Sequence, residues 1–311
     1  MDNITTNIWW NMRRFSDIII KNNRKADMDM QYLTLSGGVT IPMLGYGTWQ
    51  SPDDDTTSAA VVSALCDAGL RHIDCAAVYG NEKSVGRGIA ESGIERSGLF
   101  ITGKLWNSVR GYDNTIAACK RSISDLGVEY LDMYLIHWPR PKRYQDDYIA
   151  RNAENWRAME QLKKDGLVRA IGVSNFLPHH IDELMQTADE KPCIDQIEYH
   201  PGFGDRETTA YCRKNGIALE GYSPLGCGKV FAVDALKEIA DAAGVSVAQL
   251  CIRWSIQKGV VTIPKSVTPE RIKANADVFG FTISDDDMAR IDAVTAAECP
   301  SSGNDPDALT F

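Results

Sequence analysis

Eight short apolar runs, each followed by an amphipathic segment, constrain this chain more than any other feature. They lie near Leu44–Thr48, His72–Asp74, Leu99–Lys104, Leu131–Ile136, Val168–Val173, Cys193–Glu198, Ile217–Tyr222 and Val260–Ile263. Between them, sets such as Val61, Leu65 and Ala68, or Ile116, Cys119, Ile123 and Leu126, recur at the spacing of one helical face. Continuous apolar strands bounded by helices need cover on both faces, which means a parallel sheet, and eight strand–helix units close a (β/α)8 TIM barrel. The competing architecture, an open doubly wound sheet, wants Gly-x-Gly-x-x-Gly after its first strand to hold a dinucleotide. Gly45-Tyr46-Gly47, Gly86-Arg87-Gly88 and Gly226-Cys227-Gly228 all lack the third glycine.

At 311 residues and 44% hydrophobic, the chain can bury one large α/β core. Residues 31–311 read as that single domain. It opens with a hairpin, Tyr32–Leu35 and Val39–Ile41 around Gly37-Gly38, which caps one end. Helices are expected near Pro269–Phe279 and Asp285–Val294, before a Ser/Gly/Asp/Pro-rich tail that reads as a mobile flap over one rim. Residues 1–30 differ: they are Asn-rich, with Trp9-Trp10 beside Arg13-Arg14, and read as a disordered extension or as sequence upstream of a start near Met28 or Met30. Positive charge followed by a run of about 7–15 apolar residues would mark a signal peptide, and neither is present, although a targeting role stays open.

A net charge of −9 without basic runs argues against a nucleic-acid surface, which would need a basic face. No stretch approaches the ~20 apolar residues of a membrane span. The eight cysteines form no Cys-x-x-Cys pair, and the five histidines lack metal-ligand spacing apart from the adjacent His179 and His180. The expectation is a cytoplasmic protein with reduced thiols and no structural metal.

In a barrel of this kind the working residues come from the C-terminal ends of several strands. Asp74 ends the second run, and Tyr79 follows in the loop. Lys104 closes the third and His137 the fourth, in Leu-Ile-His-Trp-Pro. Each alone has an ordinary structural explanation: a buried ion pair, a core tyrosine, an interior histidine. Together they are harder to explain as packing, because a buried charge costs several kcal/mol unless it is carefully paired.

These motifs resemble the aldo-keto reductase superfamily from about Leu33 to Phe279. The pieces that carry the resemblance are Ile41–Trp49, Gly69–Glu82, Lys104-Leu105-Trp106, Leu135–Pro139, Gly172–Phe176, Gln196-Ile197-Glu198, Tyr222–Gly226 and Ile263-Pro264-Lys265-Ser266. Within it, Pro224–Lys229 makes the chain most similar to bacterial 2,5-diketogluconate reductases. The resemblance implies NADPH-dependent reduction of a small carbonyl or keto-sugar acid by a monomer. Tyr79 would be the general acid, acidified by Lys104, with Asp74 holding Lys104 charged and a neutral His137 orienting the carbonyl. It also implies cofactor contacts from Thr48, Asp74, Ser174, Asn175, Gln196, Tyr222, Ser223, Leu225, Ile263, Lys265, Ser266, Arg271 and Asn275. Tyr222 would stack on the nicotinamide. Thr268 can cap a helix with Pro269 at its first position, and that helix end with Lys265 and Arg271 makes an anion site for the 2′-phosphate, favouring NADPH over NADH.

Trp49, Trp106 and Trp138 suggest an aromatic-walled pocket around His137, with Arg140–Tyr148 and the tail after Cys299 setting preference. The chain departs from the family pattern at Ala274, where a glutamate usually precedes the asparagine, and at Gly103, where Ser or Thr usually precedes the lysine. Three other readings compete. One is a short-chain dehydrogenase using Tyr79 and Lys83, which would need the missing glycine-rich turn. Another is a glycoside hydrolase using Glu198 and Asp74. The third is a barrel that binds NADPH without catalysis.

Overall fold

The computed structural model describes residues 30–204 and 206–311; the expected N-terminal extension lies outside them. Strands β1 (Tyr32–Thr34) and β2 (Thr40–Pro42) form the hairpin, antiparallel with Leu33 opposite Ile41. Its turn takes Gly37 and Gly38 to φ of 94° and 81°, a region glycine enters freely, and leaves Gly37 beside Lys163.

Eight parallel strands follow: β3 (Tyr46–Gly47), β4 (His72–Asp74), β5 (Phe100–Leu105), β6 (Leu131–Ile136), β7 (Val168–Ser174), β8 (Ile194–His200), β10 (Ala218–Tyr222) and β11 (Val261–Thr262). Each pairs with the next in that order, and a parallel bridge between Leu44 and Thr262 joins the ends into a ring. Gly47 lies at the seam because a Cβ there would meet the Ile263 carbonyl oxygen at 2.9 Å. Every residue of β5 and β6 is buried, as expected of strands walled by side chains inside and helices outside.

The surrounding helices are α1 (Asp55–Val62), α2 (Glu82–Ser92), α3 (Tyr112–Leu126), α4 (Tyr148–Lys164), α5 (Pro178–Met185), α6 (Arg206–Lys214), α7 (Asp234–Ala243) and α8 (Val247–Gln257). α9 (Pro269–Ala276) and α10 (Asp285–Asp292) follow the last strand. In α3 the face buried on the sheet is Thr115, Cys119, Ser122, Ile123 and Leu126, and Gly127 ends the helix at φ 64°. The face predicted through Val61, Leu65 and Ala68 does not stay α-helical: residues Ser63–Asp67 widen into a π turn.

One predicted strand is too short. The sixth barrel strand, β8, runs on to His200, because Tyr199 and His200 pair antiparallel with β9 (Phe203–Gly204). Gln196 is therefore a mid-strand residue rather than a strand-end one.

Candidate active site

Asp74 and Lys104 stand on adjacent strands and His137 just past the end of the next, β6, at one rim of the barrel, and β4 leads into a 3-10 turn, Ala77–Tyr79, that brings Tyr79 over them. Lys104 is wholly buried. Its Nζ lies 2.5 Å from Asp74 Oδ1, 3.3 Å from the Cys75 carbonyl and 3.4 Å from Tyr79 Oη. Burial works against the ammonium charge, but Asp74 and then Tyr79 more than reverse this, so Lys104 stays above the usual lysine range. Thr48 holds the Asp74 carbonyl through both its N–H and its hydroxyl, which leaves that hydroxyl committed to the backbone.

Two opposing influences act on the Tyr79 phenol. Burial pushes the phenol up to about 12, and Lys104 opposes the shift without overcoming it. Tyr79 is half-buried on the cleft wall, where a phenolate is poorly solvated, and one ammonium already engaged by Asp74 does not make up the loss. Tyr79 is thus a firmly protonated donor. His137 is held neutral: burial, helped by the Lys104 charge, keeps it well below the usual histidine range. Its Nδ1 is buried without a partner, and its ring meets Tyr79 and Trp106 edge-on at centroid distances of 5.8 and 5.2 Å.

These groups open into a cleft of about 460 Å³. Asp74, Tyr79 and His137 line it with the three predicted tryptophans, Trp49, Trp106 and Trp138, and with Ser174, Asn175, Gln196, Tyr222, Ser223, Ile263 and Lys265. A larger hollow of about 570 Å³ between β8, α8 and α10 contains none of the predicted site residues. Three non-glycine residues of the cleft, Gln50, Asn175 and Ser223, have φ between 50° and 62°. Such backbone costs on the order of 1–3 kcal/mol each where it is strained, and it gathers at binding sites. Asn175 is fixed there, its amide donating to the His137 carbonyl and accepting from Tyr222 Oη.

Gln196 does something the motif did not announce: its Nε2 donates to Asp74 Oδ2 and to Glu220 Oε2, both at 2.8 Å. Lys265 donates to the Gln50 carbonyl at 3.0 Å across the cleft, and no carboxylate pairs with it among the described residues. Leu225 is half-buried at the head of the turn Gly226–Ala232. Ser266 and Asn275 border a separate small hollow, and Arg271 is exposed on α9. Thr268 holds the N-cap position of α9 without using its side chain; its N–H instead donates to Ser266 Oγ. At Gly103, a Cβ would come within 2.9 Å of the terminal methyl of Leu131, so a larger residue there needs that side chain to shift.

The tail crosses the same rim. Lys229 donates to the Pro300 and Ser301 carbonyls, and Glu198 accepts from the N–H and hydroxyl of Ser302 and lies 3.2 Å from His200 Nε2. Phe311 stacks on Trp106, with planes 6° apart. The adjacent His179 and His180 each place Nε2 3.0 Å from Asp307 Oδ1. His180 accepts the Leu177 N–H at Nδ1, so its Nε2 carries the proton and the cluster acts as an anchor for the tail. The rival pairings also resolve. Lys83 is solvent-exposed near Asp125, Glu198 is committed to the tail, and Asp74 to Lys104.

A profile of the Aldo/keto reductase family matches residues 43–296. The chain belongs to the aldo/keto reductase family. A glyoxal reductase of Bacillus subtilis is 45% identical over 277 residues, covering 89% of this chain and 96% of that protein. The crystal structure of an aldo/keto reductase from Brucella melitensis superposes with a TM-score of 0.80 at 44% identity, covering 85% of this chain and 97% of that one. A Gox0644 variant solved in complex with NADPH superposes at 0.83 with 37% identity, over 91% and 99% of the two chains. This aldo/keto reductase is therefore an NADP-dependent oxidoreductase of carbonyl groups. The cleft fits that cofactor: it joins an aromatic ring at a strand end, Tyr222, to a cation with no carboxylate partner among the described residues, Lys265. No helix of the described residues is long and apolar enough to cross a membrane.

Proposed function

We propose that this reductase converts a small aldehyde or ketone to the alcohol, with Tyr79 as the proton donor and a substrate in the range from dicarbonyls to keto-sugar acids. The observation that carries the reading is the meeting of a protonated phenol, a buried ammonium 3.4 Å from it, and a neutral imidazole at one end of an aromatic-walled cleft. NADPH, when bound, supplies the hydride.

The chain's own groups do the rest. Tyr222, Asn175, Ser174 and Gln196 would hold the nicotinamide end and Lys265 a phosphate, with Arg271, Ser266 and Asn275 beyond it, while Ser223 and Ile263 line the cleft and Thr48 and Leu225 lie behind it. Neutral His137 donates to the carbonyl oxygen and sets its direction. Tyr79 need not be unusually acidic, because an alkoxide is far more basic than a phenolate; it needs to hold its proton until reduction begins, and poor solvation at the cleft wall favours that. Lys104 then stabilises the phenolate left behind. The aromatic walls and the nearness of a glyoxal reductase both support a small, reactive carbonyl.

The test is NADPH consumption with glyoxal-type, sugar-acid and aromatic carbonyls. Tyr79→Phe is expected to lower turnover at least about a thousandfold, within the range of general acid catalysis, while NADPH still binds. Near-normal turnover in that variant would remove Tyr79 from the role, and NADPH binding without consumption of any carbonyl by the wild type would favour a non-catalytic subunit.

A further inference from the structure

Beneath the cleft lies a second carboxyl group that the chemistry above does not use. Glu220 is two residues before Tyr222 on β10, is fully buried, and pairs in register with Gln196 on β8. One amide nitrogen of Gln196 reaches both Glu220 Oε2 and Asp74 Oδ2. From Asp74 the path continues to Lys104 and then to Tyr79. On its other side, Glu220 Oε1 is 3.5 Å from His72 Nε2, which lies 3.1 Å from Thr102 Oγ1. The titratable groups around it are thus His72 and Asp74 on β4, Lys104 on β5 and, at the foot of β8, the Cys193 thiol. The neighbouring β11 contributes only Val261 and Thr262.

We propose that Glu220 is a positioning residue for the reduction: as a neutral acid it lets Gln196 fix Asp74, so that the Lys104 charge is directed at Tyr79, and its ionisation slows the reaction. The proposal rests on the reading of Tyr79 as the acid. Asp74 and Lys104 already balance one another in a space closed to solvent. A second carboxylate would leave that space with a net negative charge, which draws on Lys104 and makes Tyr79 a weaker donor. Burial first, and the Asp74 charge next, push Glu220 up to about 8. Of its neighbours, His72 is driven down to about 3 by burial, while burial pushes Cys193 and Tyr79 up to about 12.

The experiment compares the pH profile of kcat/KM for aldehyde reduction in wild type and Glu220→Gln, which keeps the shape and removes the proton. Wild type is expected to bend downward near pH 8, while the variant stays flat and ends about tenfold above it at alkaline pH, with NADPH affinity equal in the two. The same bend in both proteins overturns the proposal. A second measurement needs no variant: the infrared carbonyl band of a protonated carboxyl should be present in the NADPH complex at neutral pH and fade through pH 8, and its absence at neutral pH also overturns it. Tyr79→Phe run alongside separates the two ideas. Retained turnover there removes the assignment of the acid and this inference with it, whereas an inactive Tyr79→Phe with an unmoved bend in Glu220→Gln sinks the inference alone.

Discussion

Asp74 has two carboxylate oxygens and spends each on a different partner, Lys104 on one side and Gln196 on the other. Asp74→Asn must turn either its amide nitrogen or its oxygen toward Lys104, and in both cases a buried ammonium loses its counter-charge. Breaking one partner of such a pair costs about 3–5 kcal/mol, so urea unfolding should show a loss of that size. Replacing both, as Asp74→Leu with Lys104→Met, should restore most of the stability while turnover stays lost. A double variant no more stable than the single one would mean the pair itself, and not the stranded charge, sets the cost. At this scale the sequence was legible wherever a residue lies within one position of a strand end inside a recognisable motif, as Asp74, Lys104 and His137 do. Glu220 was not: nothing around it marks it, and it acquires meaning only when strand register sets it beside Gln196.

The elements were readable in kind because eight apolar runs separated by helical faces admit few packings, and the barrel of the expected strand order results. Their ends were less readable. β8 continues past Glu198 because β9 pairs with it, a partner no local pattern announces, and this puts Gln196 in mid-strand although it still lines the cleft. The tail was read as a flap, yet the residues that seat it, Glu198, Lys229 and His180, are spread over three other segments of chain. Glu198 carries most of this: His200 and Ser302 together hold its carboxylate below the usual range despite burial. Glu198→Gln removes the charge and keeps the shape. With roughly 1 kcal/mol lost from charge-assisted bonds, the aldehyde KM should rise about fivefold, NADPH affinity should hold, and proteolysis after Cys299 should quicken. An unchanged KM would show that the position of Ser302 at the cleft does not depend on this bond.

For the molecule as a whole, the buried groups whose proton affinity folding changes make stability depend on pH in two opposite ways. Burial drives His72 down to about 3, His180 to about 4 and His137 well below 6.5. Below 6.5 the unfolded chain therefore binds protons the folded one refuses, and stability is lost on acidification at about 1.4 kcal/mol per pH unit for each such histidine. Glu220 acts with the reverse sign, since its folded pKa of about 8 lies above its ordinary 4.5. Its contribution is complete below the ordinary value and drains away as pH rises toward 8, removing about 2 kcal/mol between 6.5 and 8. Between 4.5 and 6.5 three histidines oppose one glutamic acid and prevail; above 6.5 the glutamic acid acts alone. The urea midpoint should therefore peak near pH 6.5 and decline on both sides, and Glu220→Gln should erase the alkaline decline while leaving the acid one. A midpoint that climbs steadily through pH 8 would mean that Glu220 is already ionised in the folded barrel, and that Lys104 balances two carboxylates rather than one.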